Sequence, residues 1–275
     1  MQTPEPERRV GALTNPRSDR VRAVAALARR SARSGSGRFL VEGPQGCREL
    51  VRYAAAHVVD LYVTSSAWSR YPDIVEPAVA AGCFVHEVSD EVLAAMADAE
   101  APQGLLAVAQ RAEPTLDEVL SGRPRLLVVL AQVRDPGNAG TVIRAADAAG
   151  ADAVLVTANS VDITSPKVVR STAGSLFHLP VLGGLAVDAL LDRLRAEEIV
   201  TYAADGNARH TLGSVPLDRP HAWVLGNEAW GLPAELAARC DDSVAIPIYG
   251  KAESLNLAMA ATVCLYASAR ALHEA

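Results

Sequence analysis

WVLGNEAWGLPAELAARC (223–240) and DDSVAIPIYGKAESLNLAMAATVCLYASAR (241–270) fill the last fifth of the chain. Two short apolar runs, Ala222–Leu225 and Val244–Ile248, are β-rich and followed at once by turn residues, as buried strands are. A polar loop follows each run. The first carries Gly226, Asn227, Glu228 and Gly231, the second Lys251, Glu253, Ser254 and Asn256. Each loop feeds a helix, so both lie beyond the carboxyl ends of strands, where open α/β sheets bind ligands.

Upstream, Leu126–Ala131 is a continuous apolar run, the mark of a parallel strand buried on both faces. It opens into QVRDPGNAGTVIRAADAAGADAVLV (132–156), where Asn138 is placed to cap a helix over Ala139–Ala149 and Ala153–Val156 is the next strand. In DITSPKVVRSTAGSLFHLPV (162–181), Ser165 and Pro166 open a helix that puts Lys167 and Arg170 on one face, with Ser171 beside them. Two cations edged by hydroxyls suit a phosphate. Ala186–Ala196 reads as an amphipathic helix, Ile199–Ala203 as a strand, and Asp205–Asn207 as a third strand-end loop facing the ligand.

The front of the chain alternates short helices and strands, which indicates a small α/β sandwich. Residues 1–18 read as a mobile tail, 19–110 as the first domain, 111–124 as a linker with one helical turn, and 125–275 as the second domain. Val21, Val24, Leu27 and Ala28 recur at helical spacing, and SARSGSG (31–37) is expected to end that helix in a flexible loop. Arg33 and Arg38 in that stretch are candidate phosphate contacts.

The net charge of −6 argues against a general nucleic-acid glue, but the charge is uneven: residues 1–60 hold eleven arginines against six acids, residues 61–110 one arginine against seven. A basic front end suits local contact with a polyanion. Cys47, Cys83, Cys240 and Cys264 lie far apart with no metal-ligand spacing, so buried free thiols in a reducing cytoplasm are expected. No apolar run reaches a membrane span, and no metal site is expected.

LGNEAWGLP (225–233) and IPIYGKAESLNLAMA (246–260) resemble the second and third signature motifs of the SpoU (TrmH-type, SPOUT superfamily) RNA 2′-O-ribose methyltransferases. NAGTVIRAADAAGA (138–151) resembles the first, with Asn138, Gly140 and Arg144 at the family's positions. GRFLVEGPQGCREL (37–50) resembles the opening of the L30e-like substrate-binding domain of that family, with Phe39, Glu42, Gly43 and Glu49 in its places. The resemblance implies that L30e-like sandwich, then a parallel-sheet domain with a carboxy-terminal trefoil knot, and pairing of two subunits as a homodimer to complete the sites. It implies S-adenosylmethionine as methyl donor and RNA as substrate. The front domain favours large-subunit ribosomal RNA over transfer RNA.

Carried over by position, Arg144, Asn138, Glu228, Ser254 and Asn256 form the reaction centre, with Ser254 open to a second reading as the N-cap of the last helix. The donor is expected against Ala204, Asp205, Leu225, Gly226, Asn227, Gly231, Ile246, Ile248 and Leu255, and RNA against Arg33, Arg38, Lys167, Arg170 and Ser171. A guanidinium holds its proton, so Arg144 is expected to orient a phosphate and stabilise the developing oxyanion instead of acting as the base. A dinucleotide enzyme is disfavoured, since QVRDPGNAG lacks GxGxxG and places a proline in the turn. The remaining alternatives are a transfer-RNA enzyme of the same family and a non-catalytic RNA-binding relative.

Overall fold

The computed structural model describes residues 10–274. Two compact units emerge. One is built from the chain up to Ala112 together with Thr164–His178, the other from Glu113–Ile163 and the chain from Leu179 onward. The segment carrying Lys167, Arg170 and Ser171 thus packs into the first unit although its sequence lies within the second half.

The first unit is a five-stranded sheet of β1 (Val10–Leu13), β2 (Arg38–Glu42), β3 (Val58–Thr64), β4 (Val85–Val88) and β5 (Leu105–Gln110), in the order β1-β4-β3-β5-β2. Its strands alternate faces with period two. Phe39, Val41, Leu61, Val63, Leu105 and Ala107 enter one core, which is shared with helices Gly43–Ala54 and Pro72–Ala80. Leu40, Tyr62, Leu106 and Val108 enter the opposite core, against helices Asp19–Ala26 and Asp90–Met96. The expected α/β sandwich is therefore a sheet with helices on both faces.

Several local expectations change. Val10–Leu13, inside the supposed mobile tail, forms an edge strand parallel to β4, while residues 1–9 lie outside the described residues. SARSGSG is not a loop. Arg30–Ser36 is a helix closed by Gly37 in the left-handed region (φ 67°), and Arg33 is buried with its guanidinium donating to the carbonyls of Leu27 and Ala28. That bond satisfies carbonyls left open at the end of the preceding helix. Between β3 and β4 stand two helices, Ser65–Arg70 and Pro72–Ala80, parted where Pro72 starts the second.

The second unit is a seven-stranded, wholly parallel sheet: β6 (Leu126–Leu130), β7 (Ala153–Thr157), β8 (Val181–Leu185), β9 (Val200–Ala204), β10 (His210–Thr211), β11 (His221–Leu225) and β12 (Asp242–Ala245). The order is β10-β12-β9-β11-β6-β7-β8. Every residue of β6, β7 and β11 is buried, which is why these strands read as unbroken apolar runs. The chain moves outward from β6 through β7 to β8, whereas β11 occupies the other side of β6. The loops after β6 and β11 therefore open a crevice at a topological switch point. The last helix, Leu257–Glu274, packs on helix Pro136–Ala148 and on β11. There Ser268 Oγ accepts from Trp223 Nε1 at 2.8 Å and meets His221 Nε2 at 2.7 Å.

Candidate active site

Four loops of the second unit, following β6, β9, β11 and β12, meet at the carboxyl edge of the sheet. Helix Pro136–Ala148 starts there, capped by Asp135, whose carboxylate accepts from the Asn138 backbone N–H at 2.7 Å. Asn138 is therefore inside the first turn and not the cap, which leaves its side chain free for another task. Asn138 Nδ2 donates to Glu228 Oε1 at 3.4 Å, and Asn256 Nδ2 donates to Asn138 Oδ1 at 3.0 Å. Glu228 also accepts from the backbone N–H groups of Arg134 and Asp135. One residue from each of the three motifs is thus joined in a single chain of hydrogen bonds.

The last helix is capped by Asn256, not by Ser254: Asn256 Oδ1 accepts from the N–H groups of Ala258 (2.9 Å) and Met259 (3.4 Å). Its amide has two ends, so one atom closes the helix and the other holds Asn138. The strand read over 244–248 ends at Ala245, and Ile246–Ile248 leave the sheet to form a wall. The loop 226–232 is fixed by reciprocal hydrogen bonds between Asn227 and Gly231, both 2.9 Å, and by Asn227 Nδ2 donating to Gln132 O at 2.8 Å. A Cβ on Gly226 would come 2.3 Å from the Gly231 carbonyl carbon, so the loop turns back on itself too closely there for any side chain.

The loops after β9, β11 and β12 line a cavity of about 280 Å³. All nine positions expected to hold the donor line it: Ala204, Asp205, Leu225, Gly226, Asn227, Gly231, Ile246, Ile248 and Leu255. Ser254 and Glu228 line it too, as do Gly206 and Glu253 from the expected loops, and Ala229 and Leu257, which the motif reading passed over. The walls are largely apolar, with carboxylates of Asp205, Glu228 and Glu253 at intervals. A Cβ at Gly206 or Gly231 would meet nothing within 4 Å, so both glycines leave open room in the cavity that a side chain would occupy. Apolar walls, few polar groups and open backbone are what an adenine-bearing ligand needs.

Arg144 stands apart. It is exposed on helix Pro136–Ala148, about 9 Å along the axis from Asn138 at 1.5 Å per residue, and does not line the cavity. The expected RNA residues all belong to the first unit. Buried Arg33 cannot offer its charge to a phosphate, so that expectation is corrected. Arg170 pairs with Glu42 and, at 2.9 Å, with Asp98, while Glu42 accepts from the N–H groups of Asp98 and Ala99. Its guanidinium is thereby committed to carboxylates. Arg38 and Lys167 are exposed, and the Ser171 hydroxyl donates to the Lys167 carbonyl. Among the described residues no cluster of three or more His, Cys, Asp or Glu could hold a metal ion, and no helix is long and apolar enough to cross a membrane.

Comparison with known proteins gives two family matches, the SpoU rRNA Methylase family over residues 125–266 and the MRM3-like substrate binding domain over 18–107. The chain is 32% identical over 234 residues to the 23S rRNA (guanosine(2553)-2′-O)-methyltransferase RlmP of Bacillus subtilis, covering 85% of this chain and 89% of that protein. It is 33% identical over 225 residues to the 23S rRNA (guanosine-2′-O-)-methyltransferase RlmB of Bordetella pertussis, covering 80% and 92%. Among solved structures, the SpoU methyltransferase AviRb of Streptomyces viridochromogenes in complex with AdoMet superposes with a TM-score of 0.83 at 28% identity, over 94% of this chain and all of that one.

Proposed function

We infer from one premise, that this chain belongs to the SpoU rRNA methylase family, that it transfers a methyl group from S-adenosylmethionine to a ribose 2′-hydroxyl of large-subunit ribosomal RNA. The observation that carries the reading is the junction of the three motifs, Asn256 to Asn138 to Glu228, at the rim of a cavity lined by all nine donor positions. Both 23S rRNA enzymes named above match along most of their own length, front domain included, which favours ribosomal over transfer RNA.

When bound, the donor supplies a methyl group already activated on a sulfonium. The chain's part is to hold that group and the hydroxyl in line and to ease proton loss. Leu225, Ile246, Ile248 and Leu255 wall the donor, and Asn138, held from both sides by Glu228 and Asn256, fixes the geometry at the cavity rim. Arg144 orients a phosphate of the target and stabilises the developing oxyanion. Its separation from its own chain's network fits a site completed by a second subunit. Met259, Val263 and Tyr266, spaced along one side of the last helix, form an exposed apolar stripe suited to a two-fold interface. The carboxy-terminal trefoil knot belongs to the same proposal. It is supported by the family match over residues 125–266 and fits the return of the last helix onto β11.

Replacing Arg144 with Lys keeps the charge and removes the planar fork. Turnover is expected to fall by roughly a hundredfold, the scale of losing one oxyanion donor, with donor affinity by calorimetry unchanged. A fully active R144K would remove Arg144 from the reaction.

A further inference from the structure

Trp230 is the one exposed tryptophan among the described residues, at 52% of its free surface, in a chain whose Trp223 is wholly buried. An indole left in water forgoes a large apolar burial, and tryptophan is enriched at interaction surfaces because it joins an apolar body to a polar N–H. Trp230 sits in the short loop pinned by the Asn227–Gly231 hydrogen bonds. Its neighbours Ala229 and Gly231 line the donor cavity and Trp230 does not, so the ring stands outside that wall. Beside it, the exposed Arg134 places its guanidinium carbon 5.2 Å from the indole ring centre. The Arg134 backbone N–H donates at 3.4 Å to the same Glu228 carboxylate that holds Asn138.

An aromatic face and a cation therefore stand together at the rim of the reaction centre, and neither lines the donor cavity. A nucleotide presents the complementary chemistry, since a base drawn out of its stack lies on aromatic rings and its phosphate pairs with guanidinium. We propose that Trp230 and Arg134 form the subsite for the RNA nucleotide undergoing modification, its unstacked base on the free face of the indole and its phosphate on Arg134. This rests on the methyltransferase reading above and adds to it that the target is single-stranded or flipped out when it reacts.

The test uses the ribosomal RNA fragment that the wild-type protein methylates, made with its target base intact or replaced by an abasic ribose. The wild type is expected to lose roughly tenfold in kcat/KM on the abasic RNA, the scale of one base–aromatic stack. W230A should lose about the same factor on intact RNA and nothing further on abasic RNA. W230F should keep most of the activity, R134A should weaken RNA binding and flatten its salt dependence, and donor affinity should hold in all three. Independent, multiplying losses from W230A and the abasic site would overturn the stacking assignment. So would a change of oligomeric state in W230A, which would mean that a second copy of the chain covers the indole. A wild type that methylates no ribosomal RNA would instead remove the parent reading, an outcome read without any variant.

Discussion

His221 shows how a residue far from the chemistry holds the site in place. It opens β11, the strand that ends at Leu225 just before Gly226, and is completely buried. Its Nδ1 faces the Arg219 carbonyl at 2.7 Å and therefore donates, which leaves Nε2 to accept from the Ser268 hydroxyl at 2.7 Å. The ring is thus neutral, and desolvation by burial pushes its pKa below the ordinary value, against the pull of the Arg219 carbonyl. In the unfolded chain a histidine titrates near 6.5, within roughly half a unit. Above that pH His221 costs the fold nothing. As pH falls below it, the unfolded chain takes up a proton that the native state refuses, and stability drops. The melting temperature is expected to fall between pH 7.5 and pH 5 more steeply in the wild type than in H221N, followed by circular dichroism. Equal slopes would show that His221 is not held neutral. Arg33 is the contrasting residue. In sequence it stands in a Ser/Gly-rich stretch and reads as a solvated cation, because composition cannot distinguish that from a guanidinium folded back on two carbonyls.

Caps and loops carry the chemistry at the next scale, and they are also where the sequence reads least sharply. Strands β6, β7 and β11 were legible to within a residue, since parallel strands covered on both faces must be apolar throughout, whereas β12 was read three residues too far and β8 was not read. The helix starts were not. Asp135 and Asn138 are both good caps three residues apart, as are Ser254 and Asn256 two apart, and only the backbone's exit angle decides between them. In each case the structure gives the Asn a second partner that no local rule supplies. This separates two roles at Asn256. N256D keeps an oxygen for the Ala258 and Met259 N–H groups and loses the donor to Asn138, whereas N256A loses both. N256D is expected to melt near the wild type and to lose most methyl transfer. N256A should also lose about 1 kcal/mol of stability, the usual worth of an N-cap. Normal transfer by N256D would mean that the Asn256–Asn138 bond does not serve the reaction.

Over the whole molecule, both halves alternate strands and helices, which pointed to two units. The stretch read as a linker, 111–124, instead places Leu120 in the core of the second unit with Leu116 and Val119 packed against it. Nor was the path of residues 164–178 legible. That segment joins the first unit through contacts distant in sequence, Arg170 with Glu42 and Asp98, and Val169 in the core with Phe39. Pairing of subunits belongs to this scale too. If Arg144 of one copy completes the site of another, mixed R144K and N256D proteins, each nearly inactive, should recover about a quarter of wild-type activity by random exchange in a two-fold dimer. Putting Glu at Met259 and Tyr266 should give a monomer by sedimentation. No recovery on mixing would place Arg144 in its own chain's site.

Ribose methylation of 23S ribosomal RNA is tested by incubating the protein and labelled S-adenosylmethionine with unmodified 23S ribosomal RNA and, in parallel, transfer RNA, then mapping label by alkaline cleavage. Label at one position of the ribosomal RNA, resistant to alkali because its 2′-hydroxyl is blocked, is the expected result. Label confined to transfer RNA would overturn the substrate, and label at an alkali-cleavable position would contradict ribose methylation itself.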